Sequence, residues 1–264
     1  MSYTNTPDML SIEYRGPIAL LSLNRPAKRN AINDDTIRAL RDFFSDLTPD
    51  VKVVVLQGIG EHFCAGLDLS EVRGRNAGEA MFHSRRWHEA FERIQFGPVP
   101  VITVLKGAVI GGGLEIAAAT QIRIAEDSAF YALPEGQRGL FLGGGGSVRI
   151  PRLIGVHRVT DMMLTGRVLN AAEGHQAGIS QYLVGQGEGF DKALELAAKI
   201  AGNAPLTNYG VMHVLPRIAD QSIQDGLMTE ALIAAVAQSD PATQQRLSAF
   251  VDGRTNKVKP PQEG

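Results

Sequence analysis

Cysteine is nearly absent. Cys64 stands alone among 264 residues, so no internal disulfide can form, and the chain suits a reducing compartment. An excess of either charge is also missing. The formal net charge is -2 and no dense Lys/Arg block occurs, which argues against a nucleic-acid or membrane surface. No uncharged apolar run approaches the ~20 residues that span a bilayer. The first residues, Met1 to Asp8, carry neither a basic n-region nor an apolar h-region, so they do not read as a secretory signal. A cytoplasmic location is expected. No cluster of side chains has metal-ligand spacing.

What is present is an ordinary globular composition, 44% hydrophobic and 20% charged, long enough for one sizeable core with a smaller appendage. Glycine is plentiful, at 29 residues, and gathers in Gly111-Gly112-Gly113 and Gly143 to Gly146. Glycine in such loops lets backbone come close to another group.

Leu10 to Tyr14 and Ile18 to Leu23 read as strands around an Arg15-Gly16-Pro17 turn. Asn33 or Asp34 can cap a helix reaching about Leu47. Val51 to Leu56 and Val101 to Leu105 are β-branched apolar runs, expected as buried strands. A short helix is expected from Asp68. A longer one is expected over Ala80 to Gln95, with Met81, His88, Phe91 and Ile94 on its apolar face. Leu114 to Thr120 should be helical. Ile122 to Ala125, Ala129 to Ala132 and Tyr182 to Val184 should be strands. Helices are expected over Val148 to Ile154, His157 to Thr165 and Ala171 to Ala177. From Asp191 onward the pattern is helical only: Asp191 to Asn203, Thr207 to Ala219, Ile223 to Gln238 and a short helix ending near Phe250. The polar stretch from Arg254 to Gly264 is expected to be loose. The fold class expected is α/β, a core over residues 1–200 with an all-helical region over 201–264.

One echo stands out. Val53-Val54-Val55-Leu56-Gln57-Gly58 resembles Val101-Ile102-Thr103-Val104-Leu105-Lys106-Gly107. Each is a strand, a small-residue loop and a helix start, repeated at roughly fifty residues, which points toward a wound ββα architecture. The two loops, at Ala65-Gly66 and Gly111 to Gly113, each lead toward a helix N-terminus with free N–H groups. Facing each other, they would make an oxyanion hole for an enolate. On spacing alone, helix caps and tight turns explain them equally well. Glu115 sits in an otherwise apolar helix start, where a carboxylate needs a partner or a task. Glu135 lies in a second small loop. Each alone fits a cap or an ion pair. Together they could do acid–base work at the two ends of a C=C bond.

Four segments resemble the crotonase (enoyl-CoA hydratase/isomerase) superfamily over nearly the whole length. They are Asn24-Arg25-Pro26-Ala27-Lys28-Arg29-Asn30-Ala31, Phe63-Cys64-Ala65-Gly66-Leu67-Asp68, Gly111-Gly112-Gly113-Leu114-Glu115, and the block from Pro134-Glu135 through Gly139-Leu140, Gly143, Gly145-Gly146 and Arg149-Ile150-Pro151-Arg152. The resemblance implies a crotonase-like ββα spiral and hydration of a trans-2-enoyl-CoA. It implies that the N–H groups of Ala65 and Gly112 hold the thioester oxygen and that Glu115 and Glu135 hold the water. Substrate contacts would come from Lys28, Ala65, Gly66, Leu67, Asp68, Gly112 and Gly143. The helical region would pack a trimer or a dimer of trimers, and no cofactor is implied beyond the coenzyme A of the substrate. A Δ3,Δ2-enoyl-CoA isomerase, another acyl-CoA lyase or hydrolase, and a non-catalytic relative are the alternatives. The chain departs from the family pattern at Gly136-Gln137-Arg138, where a solvent-facing charge is expected, at Leu142 in place of Pro, and at Gly144 in place of Ala. Cys64 and His62 are expected to be packing and loop residues.

Overall fold

The computed structural model describes residues 9–72 and 74–254. Residues 1–8 and the polar stretch from 255 lie outside them. Six strands form one sheet in the order β1 (Leu10–Arg15), β2 (Ile18–Leu23), β3 (Val53–Gly58), β4 (Val101–Leu105), β6 (Ile122–Glu126) and β9 (Tyr182–Val184). β1 and β2 form the expected antiparallel hairpin, and the remaining pairs are parallel. β2, β3 and β4 are apolar at nearly every position because both faces of the sheet are covered. Alternate residues point opposite ways. Leu20, Val53, Val55 and Ile102 meet Ala193 and Leu196 of a helix below, Gly189–Ala201, while Leu21, Val54 and Leu56 join the core above. A second sheet holds β5 (Ala108–Ile110), β7 (Phe130–Ala132) and β8 (Leu169–Asn170).

The echo in the sequence becomes this geometry. β3 and β4 pair in parallel, and Cys64 then bridges Val109 of β5. The stretch Gly107 to Gly113, expected as loop, therefore contains a strand. Helix α1 (Asp34–Ser45) is capped by the Asn33 side chain, which accepts from the Thr36 N–H at 2.9 Å. Helix α2 (Ala77–Gln95) starts three residues earlier than the apolar pattern suggests, because Asn76 and Glu79 form a capping box. Its buried face is His83, Trp87, Ala90, Phe91 and Ile94; Met81, expected inside, is 57% exposed. Helix α3 spans Gly112–Ala119. The helix expected from Asp68 is a 3-10 turn, Leu69–Val72. The further helices are α4 (Gly146–Ile154), α5 (Val156–Thr165), α6 (Ala171–Ala177) and α7, the Gly189–Ala201 helix below the sheet.

The chain divides into two compact units, Met1–Gly202 and Asn203–Gly264. The second is helical throughout its described residues: α8 (Pro205–Tyr209), α9 (Leu215–Ile218), α10 (Ile223–Ser239) and α11 (Pro241–Val251). The single helix expected over Thr207 to Ala219 is interrupted by a π turn, Gly210–Val214. Pro216 has no N–H to give the preceding turn, and the wider turn accommodates that loss. Among the described residues, no helix is long and apolar enough to cross a membrane.

Asn30 shows what the Asn-Arg-Pro segment does. Its buried side chain accepts from the Arg25 N–H at 2.9 Å and donates to the carbonyls of Ile59 at 3.0 Å and His62 at 2.8 Å. Its φ of 55° is one that Asn tolerates better than most residues. Asn30→Ala should therefore lower unfolding free energy by more than about 2 kcal/mol, since buried backbone groups lose their partners. Urea denaturation checks this. A loss below about 0.5 kcal/mol, the range of an ordinary surface change, would contradict it.

Candidate active site

The two loops meet by backbone pairing. Cys64 donates its N–H to Ala108 (2.9 Å), Ile110 donates to Cys64 (3.0 Å), and Gly111 donates to Ala132 (2.9 Å). On the other side, Ile32 donates to the Gly66 carbonyl and Asp68 donates to the Ile32 carbonyl, both at 2.8 Å. A parallel bridge of this kind leaves the amide between its two bonds, that of Leu67, pointing the other way. Gly112 is the first residue of α3, where no intrahelical acceptor exists. The N–H groups of Leu67 and Gly112 have no acceptor among the described residues. Gly66 holds them close: its φ is +91°, and a Cβ there would stand 2.7 Å from the Ile110 oxygen and 3.4 Å from the Gly112 nitrogen.

Ala65 differs from expectation. Its N–H donates to the Arg29 carbonyl at 2.9 Å, so it cannot grip a ligand oxygen without breaking that bond. The register of the Ile32 bridge decides this, and Leu67 carries the open amide instead.

Glu115 is 3% exposed on α3, and its Oε1 accepts the N–H groups of Gly144 and Gly146, both at 2.8 Å. Burial pushes its pKa up to about 7, and the nearby Glu135 charge adds to the rise. Glu135 leads into a 3-10 turn, Gly136–Arg138. Its Oε2 is buried with no hydrogen-bond partner among the described residues, and burial also raises its pKa. The α-carbon of Gly111 lies against that carboxyl, where any Cβ would strike Oε1.

Both acids, both open amides, Trp87 and Phe141 line one cavity of about 150 Å³. Ala65, Gly66 and Gly143 line it too; Lys28 and Asp68 do not. Lys28 is exposed on a 3-10 turn, Pro26–Lys28. The Asp68 carboxylate is engaged elsewhere, 3.2 Å from Arg25 and accepting from the Ser70 hydroxyl at 2.8 Å. Its pKa is lowered, first by that Ser70 bond. Asp68 ties two loops together. Arg138, expected to face solvent, is exposed but stands at the rim of the cavity.

The departures have local reasons. Leu142 packs into the core. A Cβ on Gly144 would stand 2.9 Å from the Phe91 ring and 3.0 Å from both the Trp87 ring and Glu115 Oε2. Glycine is thus required beside this indole. Cys64 is fully buried and its thiol is pushed up to about 12 by burial, which leaves it unreactive. His62 accepts from the Ala108 N–H at 3.1 Å through Nδ1 and steadies the loop. Sequence reasoning missed His83, Ser84 and Trp87, which line the cavity from α2. The i, i+4 spacing of His83 and Trp87 was available, but placing Met81 on the inner face hid it.

Glu115 also carries a pH signature. In the unfolded chain the carboxyl ionises near 4.5, and in the fold near 7. Between those values the folded state binds more protons, so stability falls as pH rises. The loss is complete above about 7, on the order of 3 kcal/mol. Glu115→Gln keeps an oxygen for both amides and has no charge to bury. It should therefore be more stable than the wild type at pH 8 and lose most of that advantage at pH 4.5. Denaturant melts at the two pH values measure it, and an advantage independent of pH would contradict the assigned burial cost.

A wound ββα core with two open amides and two carboxyls on one cavity defines a crotonase-type protein. The chain belongs to the enoyl-CoA hydratase/isomerase family, whose model matches residues 13–260. This family acts on acyl-CoA thioesters. Enoyl-CoA hydratase EchA19 of Mycobacterium tuberculosis is 34% identical over 211 residues, 78% of this chain and 79% of its own. The carnitinyl-CoA dehydratase of Proteus mirabilis is 34% identical over 258 residues, 95% of this chain and 98% of its own. A solved structure from Rhodopseudomonas palustris, of a chain assigned as an enoyl-CoA hydratase, superposes with a TM-score of 0.92 at 55% identity, covering 96% of this chain and 98% of that one.

Proposed function

We propose that the protein hydrates a trans-2-enoyl-CoA to the 3-hydroxyacyl-CoA. The observation that carries this reading is that a buried carboxyl, a half-buried carboxyl and two residues with acceptor-free amides line one cavity. The amides of Leu67 and Gly112 would hold the thioester oxygen, whose negative charge grows as water attacks. Glu115, its Oε1 fixed by two amides, takes a proton from water as the oxygen bonds to Cβ. Glu135, with an oxygen free of partners, delivers a proton to Cα. Atoms balance: one water adds across the double bond, and the proton left on Glu115 equals the one Glu135 gave. The acids titrate as a pair, so the division of labour belongs to the pair.

An isomerase moves one proton and needs one acid. A second acid with its own amide cradle favours hydration. Two relatives of equal identity have names that differ in substrate, so identity does not select the acyl group. The reading carries with it a cytoplasmic enzyme without a cofactor of its own. It also includes assembly as a trimer or a dimer of trimers, with the exposed Leu227, Met228 and Leu232 of α10 available for such packing. The test is to incubate the chain with crotonyl-CoA and with a 3-enoyl-CoA. Hydration predicts loss of the conjugated absorbance of the first. Gain of conjugation from the second, with none lost from the first, would replace it with isomerisation.

A further inference from the structure

His83 is a buried imidazole in the cavity that hydration by Glu115 and Glu135 does not use. It is 9% exposed and lines the cavity beside Ser84 and Trp87. Its Nε2 lies 2.8 Å from Asp34 Oδ1 and 3.3 Å from the Trp87 indole nitrogen. One nitrogen cannot both donate to the carboxylate and accept from the indole. The carboxylate contact is shorter and charge-assisted, so it takes the Nε2 proton. Asp34 is also flanked by Arg75 at 3.4 Å and Arg86 at 3.5 Å, which balance its charge without a proton on the second ring nitrogen. Burial first, then Arg75, holds the imidazole below its ordinary pKa, so the ring is neutral near pH 7.

A neutral ring that donates through Nε2 has a lone pair on Nδ1. Among the described residues no donor reaches that atom, and it is not one of the fully enclosed atoms left without a partner. The cavity is lined by the apolar Leu69, Ala80 and Trp87 as well as by Ser84 and Arg138. A hydroxyl on an acyl chain held in this cavity would find an acceptor at Nδ1.

We propose that His83 Nδ1 is a specificity acceptor for a hydroxyl on the acyl chain, so that the preferred substrates are hydroxyl-bearing enoyl-CoAs. This deepens the hydratase reading and rests on it for the nature of the ligand. Asp34 acts through His83 and is a positioning residue. A site that holds an unpaired acceptor discriminates against the analogue lacking the donor, because that analogue displaces water from the acceptor and gives nothing in its place.

The test measures binding, independent of turnover. Calorimetry compares hexanoyl-CoA with its 4-, 5- and 6-hydroxy forms on the wild-type chain. The tightest hydroxy form should bind about tenfold more tightly than hexanoyl-CoA, the effect of one good buried hydrogen bond. In His83→Phe the preference should shrink to within about twofold; in His83→Gln, which restores an acceptor, part of it should return. No preference in the wild type overturns the proposal without any variant, and so does a preference that survives in His83→Phe. Tenfold preference in a chain that fails to hydrate crotonyl-CoA would sink the hydratase reading alone. Hydration without preference would sink the His83 assignment alone.

Discussion

Glu135→Gln should abolish exchange of the Cα proton of a bound acyl-CoA with solvent and lower kcat for hydration by about 10²–10⁴. The substitution keeps the shape of the side chain and removes only its ability to carry the proton. Oε2 of Glu135 has no protein partner among the described residues, so the new amide breaks no existing bond there. Folding should survive, and an unchanged melting curve would show that it does. Glu115→Gln should behave differently. It should cripple hydration more than exchange, because water loses its base while Glu135 still meets Cα. Deuterium uptake at Cα and hydration rate, measured on both variants, separate the roles. Exchange retained in Glu135→Gln would remove that residue from the Cα proton.

Gly112→Pro should lower kcat by about 10²–10³, the usual cost of one oxyanion donor. Gly112 is the first residue of α3, a position where proline is well tolerated in helices. A Cβ there meets the Trp87 ring at 2.9 Å, so the indole must shift slightly. Leu67→Pro removes the other open amide and should show a similar loss. Ala65→Pro supplies the contrast, since it breaks the bond to Arg29 and should cost stability as well as rate. A folded Gly112→Pro protein with a near-normal rate would exclude an oxyanion role for that amide.

Much of this was legible in the residues. β3 and β4 are β-branched runs buried on both faces, and nothing in their neighbourhood competes with that preference. Glu115 announced itself as a carboxylate in an apolar helix. What could not be read is what depends on register and tertiary pairing. Whether Ala65 or Leu67 offers its amide turns on which of the two bonds back to the Arg29 carbonyl, a group far away in sequence. The inner face of α2 turns on where Asn76 starts the helix and on Met81 reaching the surface. The commitment of Asp68 to Arg25, and of Asn30 to three backbone groups, appears only when loops distant in sequence come together.

The most direct measurement is a crystal structure of the chain with a saturated acyl-CoA bound. The thioester oxygen should sit about 2.7–3.1 Å from the nitrogens of both Leu67 and Gly112, with Cα and Cβ beneath the carboxyls of Glu135 and Glu115. An oxygen bound to other donors, with either acid turned away from the acyl carbons, would contradict it.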